Sequence, residues 1–194
     1  LGLVEGLKNK EEHALRELMN QYGDYLLRTG YLLVKDHQTA EEAVQDTFVT
    51  VFHKIHQLDD PNKLKSWLTT IMINCCRSQM RKWSWKNILL TFDTTEREKE
   101  DDSVQSPEEE LLEVVWNQNL SDAIQKLDYK YREVITLFYF NEWKIAEIAK
   151  HINTKESTIK SRLKRGRIIL RDLLRKGEDF DDQREEAIKK SARE

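Results

Sequence analysis

Between Lys155 and Lys176 nine Lys or Arg stand against only Glu156 and Asp172, a local charge of +7 on a chain whose total is −3. Charge gathered in this way answers to a polyanion, and phosphate is the chemistry it suits. The spacing says more. Ile159, Leu163, Gly166, Leu170 and Leu173 fall in one narrow sector at about 100° per residue, the pattern of a buried helix face. Ser157, Lys160, Ser161, Lys164 and Arg165 then occupy the opposite sector, with Arg162 and Arg167 on its flanks. These are donors able to reach phosphate oxygens and base edges.

Such a helix has to be positioned by what precedes it. Ile145, Ile148, Ala149 and Ile152 recur at i, i+3, i+4 and i+7, which predicts a short helix with one apolar face. Asn153-Thr154 breaks it. Either residue can accept from the free amides of the next helix, and Asn also tolerates the left-handed backbone of a tight turn. Short helix, polar break and basic helix is helix-turn-helix order, in which the second helix enters a DNA groove. Gly166 would let the basic helix approach its support closely.

A second stretch also suits nucleic acid. Residues 61–92 contain no acidic residue and carry Lys63, Lys65, Arg77, Arg81, Lys82 and Lys86, interleaved with Trp67, Trp83 and Trp85. Cations take phosphates while exposed bases stack on rings, a combination that fits single strands. Trp67 sits inside an apolar pattern and reads first as core. After Asp60-Pro61 the residues Leu64, Leu68, Ile71 and Cys75 predict a third helix or helix pair. Upstream, a first helix over about 11–33 has the face Leu15, Leu18, Tyr22, Leu26 and Leu27. A second opens with Thr39 and Glu42 at capping-box spacing and buries Ala40, Ala43, Val44, Phe48, Val51, Phe52 and Ile55. Glu41, Gln45 and Asp46 fall outside that stripe.

Composition sets the frame. Apolar residues make up 39% and charged residues 35%, with two Pro and six Gly, which points to an all-α protein. No apolar run approaches the roughly 20 residues that span a bilayer, and no signal-peptide pattern opens the chain, so a cytoplasmic location is expected. Net charge runs +1 over 1–92, −8 over 93–119, +7 over 120–176 and −3 over 177–194. The expected organisation is two small helical domains: an N-terminal domain of three to four helices (10–92) and a C-terminal helix-turn-helix domain (108–176). An acidic flexible linker (93–107) joins them and an acidic tail (177–194) follows. The linker has too little apolar content to offset its ordering entropy. Helical spacing resumes at Leu111, Leu112, Val115 and Trp116, with Ser106 as a cap.

Catalysis has little support. Cys75 and Cys76 are adjacent, which excludes a CxxC knuckle and strains any mutual disulfide. His53 and His56 lack further ligands. With no nucleophile–base set and no Gly-rich phosphate loop, no catalytic residue, cofactor, metal or small-molecule substrate is expected.

The order of segments is itself informative. AEEAVQDTFVTVF, then KLKSWLTTIMINCCRSQMRK, an acidic linker, and LDYKYREVITLFYF before the helix-turn-helix resemble a bacterial RNA polymerase sigma factor. The compact two-domain form is similar to the extracytoplasmic-function (ECF) group of the sigma-70 family. That resemblance implies a transcription initiation factor that binds core RNA polymerase and promoter DNA as a monomer. It implies that the helix carrying Glu41, Glu42, Gln45, Asp46 and Phe48 docks on the coiled coil of the polymerase's largest subunit. Lys63, Leu64, Asn74, Arg77, Arg81 and Lys82 would read and melt the minus-ten element. There a non-template base flips into a pocket beside the preceding loop, with Leu64 and Asn74 at the family's pocket positions. Lys160, Ser161, Lys164 and Arg165 match positions that approach bases of the minus-thirty-five element. Lys155, Thr158, Arg162 and Arg167 would hold phosphates, and Ser157 shares the outward face. The linker would enter a basic channel toward the polymerase's RNA path. An anti-sigma factor, often membrane-bound, is a further implied partner. The alternative is a stand-alone helix-turn-helix regulator that binds a palindrome unaided, a reading that leaves the acid-free stretch unexplained.

Overall fold

In the computed structural model the backbone is described for residues 2–91 and 118–191, and side chains for 2–82 and 120–175. The expectations for Trp83, Trp85 and Lys86, for the linker at 93–107 with Ser106, and for Leu111, Leu112, Val115 and Trp116 lie outside the described residues. So do the side chains of the acidic tail. The chain divides into two compact units, Leu1–Glu100 and Asp101–Glu194.

The first unit is built from α1 (Leu3–Lys8), α2 (Glu12–Val34), α3 (His37–Lys54) and α4 (Leu64–Thr91), with short 3-10 turns at Ile55–Gln57 and Pro61–Lys63. Helices α2, α3 and α4 pack mutually and α1 lies on α2. Their shared core holds Leu18, Leu26, Leu33, Ala40, Ala43, Val51, Leu68, Met72, Ile73 and Cys76. Gly30 sits where three helices converge: a Cβ there would come within 2.3 Å of the Met72 methyl and 3.3 Å of the Ala40 Cβ. The acid-free stretch forms one helix, entered through a turn in which Asp60 accepts the Asn62 amide at 3.0 Å.

Several expectations shift. The start of α3 is capped by Asp36, whose carboxylate accepts the Thr39 amide at 2.7 Å, so Thr39 lies within the first turn and the Thr39/Glu42 capping box does not form. A carboxylate three residues earlier takes the Thr39 amide itself, and its charge suits the positive helix end. On α2, Leu15, Tyr22 and Leu27 are only half-buried, and Ala14, Gly30 and Leu33 fill the core in their place. On α4 the buried stripe runs Leu64, Leu68, Met72, Ile73, Cys76, leaving Ile71 and Cys75 half-buried. These shifts reflect helices with two neighbours, whose core face points between them. Helix α1 had no counterpart in the periodicity, because six residues are too few to show one.

The second unit comprises α5 (Gln118–Lys126), α6 (Tyr129–Ile135) running into a π-turn at Thr136–Phe140, α7 (Ile145–Ile152) and α8 (Glu156–Ser191). Its core gathers Ala123, Ile124, Leu127, Val134, Ile135, Leu137, Trp143, Ile148, Ala149, Ile159 and Leu163. The buried Arg132 guanidinium donates to the Leu127 carbonyl at 3.0 Å and the Gln125 carbonyl at 3.3 Å, closing the end of α5. Burial lowers its pKa, and the nearby Tyr129, Asp128 and Glu133 oppose that shift.

The corrected cap gives a direct check. Asp36→Ala should speed amide exchange in the first turn of α3 about fivefold, the equivalent of about 1 kcal/mol for a lost N-cap. Thr39→Ala, which keeps the donating amide, should leave exchange there unchanged.

Candidate nucleic-acid and partner interfaces

The basic helix is held as its periodicity requires. Ile159, Leu163 and Gly166 are buried, while Leu170 and Leu173 are half-buried. A Cβ at Gly166 would lie 3.1 Å from the Ile135 Cγ1 and 3.4 Å from the Tyr131 Cβ, so α8 crosses α6 at a contact that a larger residue would widen. With that face committed, Ser157, Lys160, Ser161, Lys164 and Arg165 are exposed, as are Lys155 and Arg167. Thr158 and Arg162 sit half-buried on the flanks. Arg167 is partly occupied: its Nε donates to the Leu163 carbonyl at 3.3 Å, and a terminal nitrogen lies 3.5 Å from the Tyr139 hydroxyl. Tyr139, 53% exposed on the π-turn, adds an aromatic ring that the sequence reading left out.

The turn before α8 is set by Asn153, whose φ of 55° is the left-handed conformation that asparagine tolerates. The Thr154 amide donates back to the Ala149 carbonyl at 2.9 Å. The Lys155 carbonyl takes the third and fourth amides of α8, those of Thr158 and Ile159, so the residue at the helix entrance is Lys155 rather than Asn153 or Thr154. Glu147 accepts the Lys144 amide at 2.7 Å and so fixes the start of α7.

In the first unit, Glu41, Glu42, Gln45 and Asp46 form an exposed row on α3. Glu41 lies 3.3 Å from His37 one turn back, and Asp46 accepts from the Gln79 amide nitrogen at 3.0 Å, which ties the row to α4. Phe48 does not belong to this surface. At 7% exposure it is a core residue, because it falls on the side of α3 that faces the packed helices. Val49, one turn beyond Gln45 and 58% exposed, takes its place on the outward row. An apolar side chain outside the core stripe was the signal available for it.

Along α4, Lys63, Asn74, Arg81 and Lys82 are exposed and Arg77 is half-buried. Leu64, 5% exposed, is a core side chain, which corrects its expected place as a base contact. Its apolar side chain at the first turn of α4 is buried with Leu58 and Leu68. Lys65 lies 4.6 Å from the centre of the Tyr25 ring, and the Tyr25 hydroxyl pairs with Thr69 at 3.0 Å. Trp67 is half-buried.

Comparison with known proteins bears on this pair of surfaces. The Sigma-70 region 2 family model matches residues 18–86 and the Sigma-70, region 4 model matches 117–170. The ECF RNA polymerase sigma factor SigM of Bacillus subtilis is 30% identical over 163 residues, 83% of this chain and 95% of SigM. The chain belongs to the ECF RNA polymerase sigma factors. This sigma factor is also 27% identical to SigW of the same organism over 89% of its own length and 95% of SigW. Among solved structures it is similar to the sigma factor RpoE of Bartonella quintana, crystallised with the anti-sigma factor NepR. The TM-score is 0.62 and the identity 27%, covering 82% of this chain and 98% of that one. CnrH, solved with the cytosolic domain of CnrY, shares the fold at a TM-score of 0.58 and 22% identity. The all-α, two-domain sigma architecture and the role of transcription initiation factor therefore hold for this chain.

Among the described residues no group of three or more His, Cys, Asp or Glu is placed to hold a metal ion, and no helix is long and apolar enough to cross a membrane. Both thiols are held protonated. Burial raises the Cys75 pKa against a hydrogen bond from Thr47, with Asp46 adding to the rise. Cys76 is pushed up to about 12 by burial and by its neighbour Cys75. The nucleophile is the thiolate. At pH 8 iodoacetamide should therefore label the native protein slowly, at Cys75 first, with Cys76 labelled only after denaturation. Mass spectrometry of timed samples checks this order.

Proposed function

We propose that the two surfaces act together in promoter recognition. The N-terminal unit binds core polymerase through the outward row of α3 and reads the minus-ten element with α4. The C-terminal unit reads the minus-thirty-five element with α8. Residues 93–107 join them as an acidic linker, and the acidic tail 177–194 begins as a continuation of α8, which runs to Ser191. The observation that carries the reading is the arrangement of Lys160, Ser161, Lys164 and Arg165 on the exposed side of a helix whose other side is locked on α6.

Each side chain has a stated task. Arg165 can pair bidentately with guanine, worth roughly 1–3 kcal/mol of discrimination, and Lys160, Ser161 and Lys164 approach neighbouring base edges. Lys155, Thr158, Arg162 and Arg167 hold phosphates and set the register, with Ser157 beside them. On α3, Glu41, Glu42, Gln45 and Asp46 meet the polymerase, and Val49 adds an apolar contact that Phe48 cannot make from inside. On α4, Asn74, Arg77, Arg81 and Lys82, with Lys63 in the preceding turn, engage the melting strand. Leu64 supports the pocket from below. Capturing an unstacked base offsets a few kcal/mol of unpairing and so favours the open duplex.

The action is binding rather than catalysis, in the cytoplasm, by a monomer. The similarity to RpoE, crystallised with an anti-sigma factor, supports an inhibitor of that class as a further partner. Such an inhibitor would cover the α3 row and the basic face of α8, burying Val49 and Tyr139.

Run-off transcription with core RNA polymerase and a promoter library tests the reading. Transcripts should depend on this protein. Specific binding of a palindrome by the protein alone, without transcripts, would instead identify a stand-alone regulator. Arg165→Ala should relax discrimination at one upstream base pair by roughly tenfold, the lower half of a bidentate contact's worth. Asp46→Ala should weaken binding to core polymerase while leaving contacts of the C-terminal unit with DNA intact.

A further inference from the structure

Helix α1 is short, yet it is held at several points. Val4 and Leu7 are buried, and Gly6 allows the helix to close on α2: a Cβ there would come within 2.8 Å of the Ala14 Cβ and 2.9 Å of a Glu11 carboxylate oxygen. The chain then reverses through Lys10, whose φ of 61° is a left-handed backbone that a lysine adopts at a cost. Two lysines reach from this corner to the end of α3 and the residues after it. The Lys8 ammonium donates to the Leu58 carbonyl at 3.2 Å. The Lys10 ammonium donates to the Phe52 carbonyl and sits 4.1 Å from the centre of the Phe52 ring.

Those carbonyls lie in the last turn of α3 and in the connection that leads to α4. The connection runs through the turn Ile55–Gln57 and the turn Pro61–Lys63. Ile55 and Leu58 are buried, while His56, Gln57, Asp59, Asn62 and Lys63 are exposed. A segment with so few apolar anchors is positioned by whatever holds its backbone. Two charge-assisted hydrogen bonds from one rigid corner, one to α3 and one to the connection, limit both its shift and its rotation.

We infer that α1 is a brace, with Lys8 and Lys10 as positioning residues that set the connection between α3 and α4 and thereby the choice of the unstacked minus-ten base. This rests on the function proposed above. A pocket that discriminates bases must be held within about 0.5 Å, and its second layer of contacts supplies that precision. Neither lysine need touch DNA.

The test is run-off transcription by holoenzyme assembled from the full chain, on promoters that differ only at the captured minus-ten base. Wild-type transcripts come first; their absence overturns the sigma mechanism and this inference with it. Lys8→Met with Lys10→Met should lower the transcript ratio between preferred and disfavoured base about threefold or more, the size of ordinary coupling between contacting residues. Dependence on the upstream element and affinity for core polymerase should stay unchanged. Lys8→Arg with Lys10→Arg, which keeps the donors, should restore the ratio. Gly6→Val, which lifts α1 from Ala14, should lower it by another route. An unchanged ratio in the Met variant, or an equal loss of transcription from every promoter, would overturn the inference and leave wild-type transcription standing as support for the sigma mechanism.

Discussion

A helix that offers a row of charged side chains to a partner must be gripped by its other face, and both units of this sigma factor depend on that division. In α8 the grip is Ile159, Leu163 and Gly166, and its closeness comes from the missing side chain at 166, where α6 approaches through Tyr131 and Ile135. In α3 it is Ala40, Ala43, Phe48 and Val51 against α2 and α4. Burying such side chains contributes roughly 1.5–3 kcal/mol for each of the larger ones. The outward rows contribute little to stability themselves. They cannot rotate independently of the core beneath them, so the register of the apolar contacts sets the direction of the donors.

Three buried threonines of the first core follow the same economy. Thr29, Thr47 and Thr69 each return their hydroxyl to the carbonyl one turn back, at 2.9, 2.7 and 2.8 Å. An unpaired buried hydroxyl would cost about 1–3 kcal/mol, and this local bond removes the cost, with Thr69 and Thr47 also meeting Tyr25 and Met72 on neighbouring helices. Arg132 acts over a longer reach, spending its guanidinium on carbonyls at the end of α5. Its charge is thus directed to architecture, whereas Lys160, Lys164 and Arg165 of α8 are exposed toward solvent. Lys65 shows the same division in the first unit, set over the Tyr25 ring although it belongs to the acid-free stretch.

Legibility in the sequence followed the strength of the local signal. The faces of α8 were readable residue by residue, since five apolar positions and seven cationic or hydroxyl ones leave only one rotation that separates them. Asn153 was readable as a left-handed turn because few residues accept that backbone. Phe48 and Leu64 were on the apolar stripes by periodicity, and only the family resemblance moved them to contact roles, because a large apolar side chain near a functional face suits core and interface equally. Burial decides between them, and burial depends on which helices flank the position. The cap at Asp36 was missed because Thr39 offered a fuller motif. The competition between them turned on the bend after α2, where Lys35 adopts φ 67°.

By itself, the sequence determined the class of the molecule: two helical units, an asymmetric distribution of charge, and a basic helix with one side for protein and one for nucleic acid. Those properties reside in composition and periodicity, which need no third dimension. The tertiary structure decided which side chains of each row are free. It placed Phe48 and Leu64 inside and Val49 and Tyr139 outside, tied Asp46 to Gln79, and brought Lys8 and Lys10 across to the backbone at the end of α3 and in the connection after it. Each of these joins residues between 33 and 50 positions apart or depends on a neighbouring helix, and chain separation of that size leaves no trace in a local pattern.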